Sequence, residues 1–133
     1  MPPNPKALYS REWLKKAAED LARVPRRLDE GDIDDAAFHL QQALEKYLKG
    51  FLLSQGWALK KIHDLDALLD DAVTYDRALE DFRPLVQQVT GYYLIERYPT
   101  IEEGPTKAEV RLASQQAQRL VTRLRETGRP RRR

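Results

Sequence analysis

Apolar residues recur at spacings of three and four from Ile33 through Ala37, Leu40, Leu44, Tyr47 and Phe51. That period places them on one face of a helix and predicts a long amphipathic helix over residues 36–53. Beside this face, Ala36, Ala43 and Gly50 repeat every seven residues. They form a line of small side chains along which a neighbouring helix backbone can come close. His39 and Lys46 are also seven apart, about two turns, and point the same way at the edge of that line. One helix thus offers a core face, a close-packing seam and a polar pair.

The remaining elements fall around it. Pro2, Pro3 and Pro5 predict an extended, loose start, so residues 1–8 are expected to be a flexible N-terminus. Ser10 is the expected N-cap of a first helix carrying Trp13, Leu14, Ala17, Ala18, Leu21, Val24 and Leu28, kinked at Pro25 and closed by Gly31. Asp32 caps the central helix and Gly56 ends it. Trp57 to Ile62 is a connector. Asp64 caps a short helix with Leu65, Leu68, Leu69 and Ala72. Thr74 to Asp81 reads as either a turn or a helical turn. Pro84 opens a helix whose shared face is Phe82, Leu85, Val86, Val89 and Tyr93. Gly91 weakens its middle by roughly 1 kcal/mol relative to Ala, which suggests close packing there. Tyr98-Pro99 stops it. Thr106-Lys107-Ala108-Glu109 is a capping box, followed by the stripe Val110, Ala113, Ala117, Leu120, Val121 and Leu124. Neither strand-like alternation nor an internal repeat is evident. The expected fold class is all-α: an antiparallel up-and-down bundle of four main helices plus one short helix, over residues 9–127. Residues 128–133 are expected to be a basic C-terminal tail.

Charge changes the picture at one end only. Residues 106–133 hold nine Lys/Arg and two Asp/Glu, whereas residues 1–105 hold fourteen and nineteen. The net +2 is therefore a +7 end joined to a −5 body. Such an end can meet phosphates, nucleic acid or an acidic protein surface. The 133 residues suit one domain able to bury its own core. The chain lacks Cys, which excludes disulfides and thiolate metal sites and suits a reducing compartment. No apolar run approaches the ~20 residues of a membrane span, and the first residues lack a signal-peptide core. A cytoplasmic protein without membrane association is expected.

The residues offer little generic chemistry. The two His are too far apart for a local metal motif, so no metal site and no cofactor are expected. There is no Gly-rich phosphate loop. Ser10, Ser54 and Ser114 sit in no recognisable nucleophile turn. Trp13 and Trp57 are candidate interface anchors or core residues. The small-residue seam and the aromatic content suit a symmetric dimer.

Three segments carry a family resemblance. Ala37-Phe38-His39-Leu40-Gln41-Gln42-Ala43-Leu44-Glu45-Lys46-Tyr47-Leu48-Lys49 resembles the central helix of HEPN domains. Lys61-Ile62-His63-Asp64-Leu65 resembles that family's His-Asp-Leu element. Tyr92-Tyr93 with Glu96-Arg97-Tyr98-Pro99 resembles its Tyr…Arg-Tyr-Pro element. The resemblance spans roughly Leu8 to Leu124. It implies a small helical dimer that handles nucleotides. Many members are metal-independent ribonucleases in which an Arg is followed, a few residues later, by a His. That pairing suits acid–base work by His and phosphate stabilisation by Arg. Here the matching Arg97 is followed by Tyr98-Pro99-Thr100-Ile101-Glu102-Glu103-Gly104, without a His.

The resemblance therefore implies the non-nuclease branch, with no catalytic residues. Such proteins are homodimers that partner a minimal nucleotidyltransferase in toxin–antitoxin-like modules. The nucleotide-binding residues it implies are His39, Lys46, His63, Tyr93, Arg97 and Tyr98, with cations on phosphate and rings on a base. Two alternatives stand beside it. One is a ribonuclease toxin with a degenerate site built from His39, His63 or Arg97. The other is a nucleic-acid-binding module driven by the C-terminal arginines.

Overall fold

A computed structural model of the chain describes residues 5–58, 60–97 and 104–128, with the backbone alone for residues 5–8 and 93–97. The described residues form an all-α bundle and include no strand. Its helices are α1 (Pro5–Asp29), α2 (Ile33–Ser54), α3 (Leu65–Val73), α4 (Arg83–Arg97) and α5 (Lys107–Gly128), with a 3-10 turn over Arg77–Phe82. No described helix is long and apolar enough to cross a membrane.

The helix boundaries follow from short-range chemistry. Gly31 and Gly56 take φ of +80° and +94°, the left-handed region that L side chains avoid. At Gly56 the result is a Schellman closure: Gly56 N–H donates to Leu53 O and Trp57 N–H to Leu52 O. Asp32 accepts from Asp35 N–H and Asp64 from Asp66 N–H at the starts of α2 and α3. Thr106 and Glu109 complete the reciprocal capping box, with Glu109 N–H on Thr106 Oγ1 at 3.1 Å and Thr106 N–H on Glu109 Oε1 at 3.3 Å. The ambiguous 74–81 stretch resolves into the 3-10 turn, capped by Asp76.

Asp76 does more than cap. Arg123 donates to both of its oxygens, at 2.7 and 3.0 Å, and Thr127 adds a third bond at 2.6 Å. The Arg123 hydrogen bond comes first among the causes that hold the Asp76 carboxyl down at about 2. The connection between α3 and α4 is thereby pinned to the last turns of α5.

The core sits around α2, which is buried on nearly every side. Leu40, Leu44, Leu48 and Leu52 are fully enclosed, together with Leu28 of α1, Leu65, Leu68 and Leu69 of α3, Val86 of α4 and Leu120 of α5. Tyr92 is buried in α4, and the side chain of Tyr93, expected on the shared face, lies outside the described residues.

Three expectations are corrected. Ser10 is not an N-cap: α1 begins five residues earlier at Pro5, a residue well suited to a first helical turn. Ser10 is instead buried, and its hydroxyl donates to Gly50 O at 2.7 Å. The small-residue seam is closed within the chain, since Ala36 and Ala43 are fully buried and Gly50 meets α1. A seam already filled by α1 is no argument for a second copy. Of the two readings of Trp57, the core one holds: it is buried, and its indole N–H donates to Asp71 at 3.0 Å. Gly91 has nothing within 4 Å of an added Cβ, so close packing does not explain it. Pro25 lies inside α1, as its place in the apolar period implied, and the helix continues to Asp29.

Gly50 is where close approach is required. A Cβ there would lie 2.7 and 2.8 Å from Leu14 Cδ2 and Cγ, and 3.3 Å from the Leu14 backbone nitrogen. The branch carbon and the backbone cannot both retreat, so α1 must move off α2 and stretch the Ser10–Gly50 bond. Gly50→Ala is expected to destabilise by about 1–3 kcal/mol despite its better helix propensity. Gly91→Ala, on the open part of α4, should be neutral or stabilising by up to about 1 kcal/mol. Denaturant midpoints of the two variants test this contrast.

Candidate functional site

Two charged clusters lie between α1 and α2. The first is centred on Asp20 of α1, whose side chain is only 5% exposed. Lys46 donates to its Oδ2, His39 Nδ1 faces its Oδ1 at 2.9 Å, and Arg23 reaches Oδ1 at 3.2 Å. His39 Nε2 faces Asp35 Oδ2 at 3.4 Å, and Asp35 also accepts from Arg27 at 2.7 Å. Burial pushes the Asp20 carboxyl up, but the hydrogen bonds from Lys46 and His39 outweigh it and hold the carboxyl below its ordinary value. The expected pairing of His39 and Lys46 is therefore real, and a carboxylate on α1 makes it. Both ring nitrogens of His39 and the Lys46 ammonium are engaged inside the protein.

The second cluster is built on Glu45 and Lys49, one turn apart on α2. Their side chains are 7% and 4% exposed, with Lys49 Nζ 3.3 Å from Glu45 Oε2. The same ammonium lies 5.2 Å from the centroid of the Trp13 ring, a cation–π contact in a dry setting. On the other side, His63 Nδ1 lies 3.3 and 3.4 Å from the two Glu45 oxygens. The His63 side chain itself is 76% exposed. A buried carboxylate thus orients an exposed imidazole and neutralises a buried ammonium. A solvent-open cleft of about 390 Å³ adjoins Trp13 and is lined by Tyr9, Glu12, Trp13 and Lys16.

The six residues expected at a nucleotide site are not brought into one place. His39 and Lys46 share Asp20, and His63 belongs to the Glu45 cluster. Tyr93 and Arg97 lie on the last turns of α4, where only the backbone is described. Tyr98 and the C-terminal arginines from Arg129 onward lie outside the described residues. Sequence reasoning misses Asp20, Glu45 and Lys49 as organisers. One signal for Lys49 was present. In Tyr47-Leu48-Lys49-Gly50-Phe51-Leu52-Leu53 a single cation interrupts an apolar run longer than a helical turn, so it must be buried and paired. Among the described residues, no group of three or more His, Asp or Glu is arranged to hold a metal ion.

Comparison with known proteins agrees with this architecture at the level of the family. No curated protein and no solved structure matches the chain significantly. The family model for the HEPN domain matches residues 10–127, from the Ser10–Gly50 contact on α1 to the last turn of α5. That match covers most of the chain and every described helix, and the chain belongs to the HEPN domain family.

Proposed function

We propose that this HEPN domain binds nucleotides without cleaving RNA. Membership of the family supports a nucleotide-binding or ribonuclease-like module. Between these two, the placement of the histidines carries the choice. A general acid–base pair needs imidazole nitrogens open to substrate. His39 turns both ring nitrogens toward carboxylates, Asp20 and Asp35. His63 stands on a different cluster, and Arg97 has no His in the seven residues that follow it. On this reading the protein is a homodimer and the companion of a minimal nucleotidyltransferase in a toxin–antitoxin-like module. It presents a nucleotide or a surface to that enzyme. The partner reading is tested by co-expression with the product of an adjacent nucleotidyltransferase reading frame, where co-elution supports it and separate elution removes it. Light scattering that returns a monomer would remove the dimer.

One observation favours a second reading. Glu45 held against Nδ1 of an exposed His63 resembles the way a buried carboxylate orients a general base. In RNA cleavage the substrate's 2′-hydroxyl is its own nucleophile, so such a dyad needs no protein nucleophile. Digestion of single-stranded RNA by purified protein, with and without EDTA, separates the readings. The non-cleaving reading predicts intact RNA in both conditions. Cleavage that survives EDTA and disappears in His63→Ala would replace it with a ribonuclease.

A further inference from the structure

The reading of the chain as a nucleotide-binding module leaves the site unplaced, since the six residues implied by resemblance are split between two clusters or lie outside the described side chains. The described surface offers two clefts of suitable size. One, about 400 Å³, lies between α1, α2 and α5 and is walled by Leu14, Tyr47, Phe51, Val121 and Leu124, with Arg125 at its rim. Its rings belong to buried core residues, Tyr47 and Phe51. The other is the α1 cleft of Tyr9, Glu12, Trp13 and Lys16, whose spacing of three, four and seven puts them along one side of the helix.

We propose that the α1 cleft binds a nucleoside phosphate, with the base stacked against Trp13 and Tyr9 and the phosphate at Lys16. This inference rests on the nucleotide-binding reading and assigns it a place. Four observations support it. The cleft's 390 Å³ lies within the range of small-ligand pockets. Tyr9 is 60% exposed on its wall, a large ring that the folded core does not use. Trp13 is held from behind by the buried Lys49 ammonium, which is fixed in turn by Glu45. A stacking platform pinned in this way loses little freedom when a base lands on it. Lys16 is exposed one turn further along α1 and supplies a cation within the same wall. Glu12, the acidic member, suits sugar hydroxyls or an exocyclic amine as an acceptor and disfavours a phosphate at its own end, which orients the ligand.

The two tryptophans make the test direct. AMP, ATP and inorganic phosphate are titrated into the wild-type protein while tryptophan emission and calorimetric heat are followed. The proposal expects a saturable emission change with both nucleotides. That change should be lost in Trp13→Phe and kept in Trp57→Phe, since Trp57 is buried and bonded to Asp71. Lys16→Ala should weaken ATP by about tenfold, the effect of losing one charged phosphate contact. Heat with an emission change that persists in Trp13→Phe, and with affinity unchanged in Lys16→Ala, would overturn the site and move the nucleotide elsewhere, leaving the nucleotide-binding reading intact. Absence of any nucleotide heat in the folded wild type would overturn both. Circular dichroism of each variant confirms that a loss of signal is not a loss of fold.

Discussion

Glu45→Ala is expected to destabilise the protein by about 3–5 kcal/mol, more than the loss of an exposed ion pair would suggest. Glu45 and Lys49 are both nearly buried, and Glu45 is the carboxylate within 3.3 Å of that ammonium. Removing it leaves a nearly buried ammonium whose remaining described contact is the Trp13 ring. Most of the cost is therefore the desolvation of the orphaned cation. It follows that Glu45→Leu combined with Lys49→Met, a volume-matched apolar pair, should return to within about 2 kcal/mol of the wild type. His63→Ala should change stability by less than about 1 kcal/mol, because its side chain faces solvent. Urea unfolding of the two single variants and the double variant measures all three. A double variant as unstable as Glu45→Ala would mean that the pair itself, rather than the stranded charge, supplies the stability.

The second large effect is at Asp20. Asp20→Asn keeps the shape but removes the charge facing Lys46, His39 and Arg23, and is expected to cost about 2–3 kcal/mol at neutral pH. The pH dependence has a definite sign. The folded-state value of Asp20 is lowered from 3.8, so its stabilisation is complete above that ordinary value and is lost as pH falls through the lowered one. The stability gap between wild type and Asp20→Asn should therefore shrink as the pH falls below 3.8. A gap that widened as the pH fell below 3.8 would contradict the assignment of Asp20 as a charged hub. Asp76, held at about 2 by Arg123, adds to the same acid sensitivity in the wild type and cancels in the comparison.

The sequence made legible whatever depends on neighbours within a few residues. The Thr106–Glu109 box, the Asp32 and Asp64 caps and the left-handed Gly31 and Gly56 are each decided by four or five consecutive residues. The apolar period along α2 marked the centre of the core for the same reason. Ser10 misled because a hydroxyl at a helix start and a hydroxyl that bonds a carbonyl forty residues away look alike in one dimension. The seam at Ala36, Ala43 and Gly50 correctly signalled a close helix contact. Its spacing alone did not distinguish α1 of the same chain from a second copy. Asp20 was opaque for a related reason. On α1 it is one polar residue among many, and its meaning comes only when the pairing of α1 with α2 sets it opposite His39 and Lys46. The charged clusters are thus products of helix register, whereas the caps are products of local sequence.

Calorimetric titration of the purified protein with AMP, ADP and ATP tests the central claim most directly. The account predicts saturable binding with a stoichiometry of about one nucleotide per subunit, weakened by salt as phosphate contacts require. A folded protein that gives no binding heat with any of the three, while single-stranded RNA is degraded in EDTA, would contradict it and leave a ribonuclease built on His63 and Glu45.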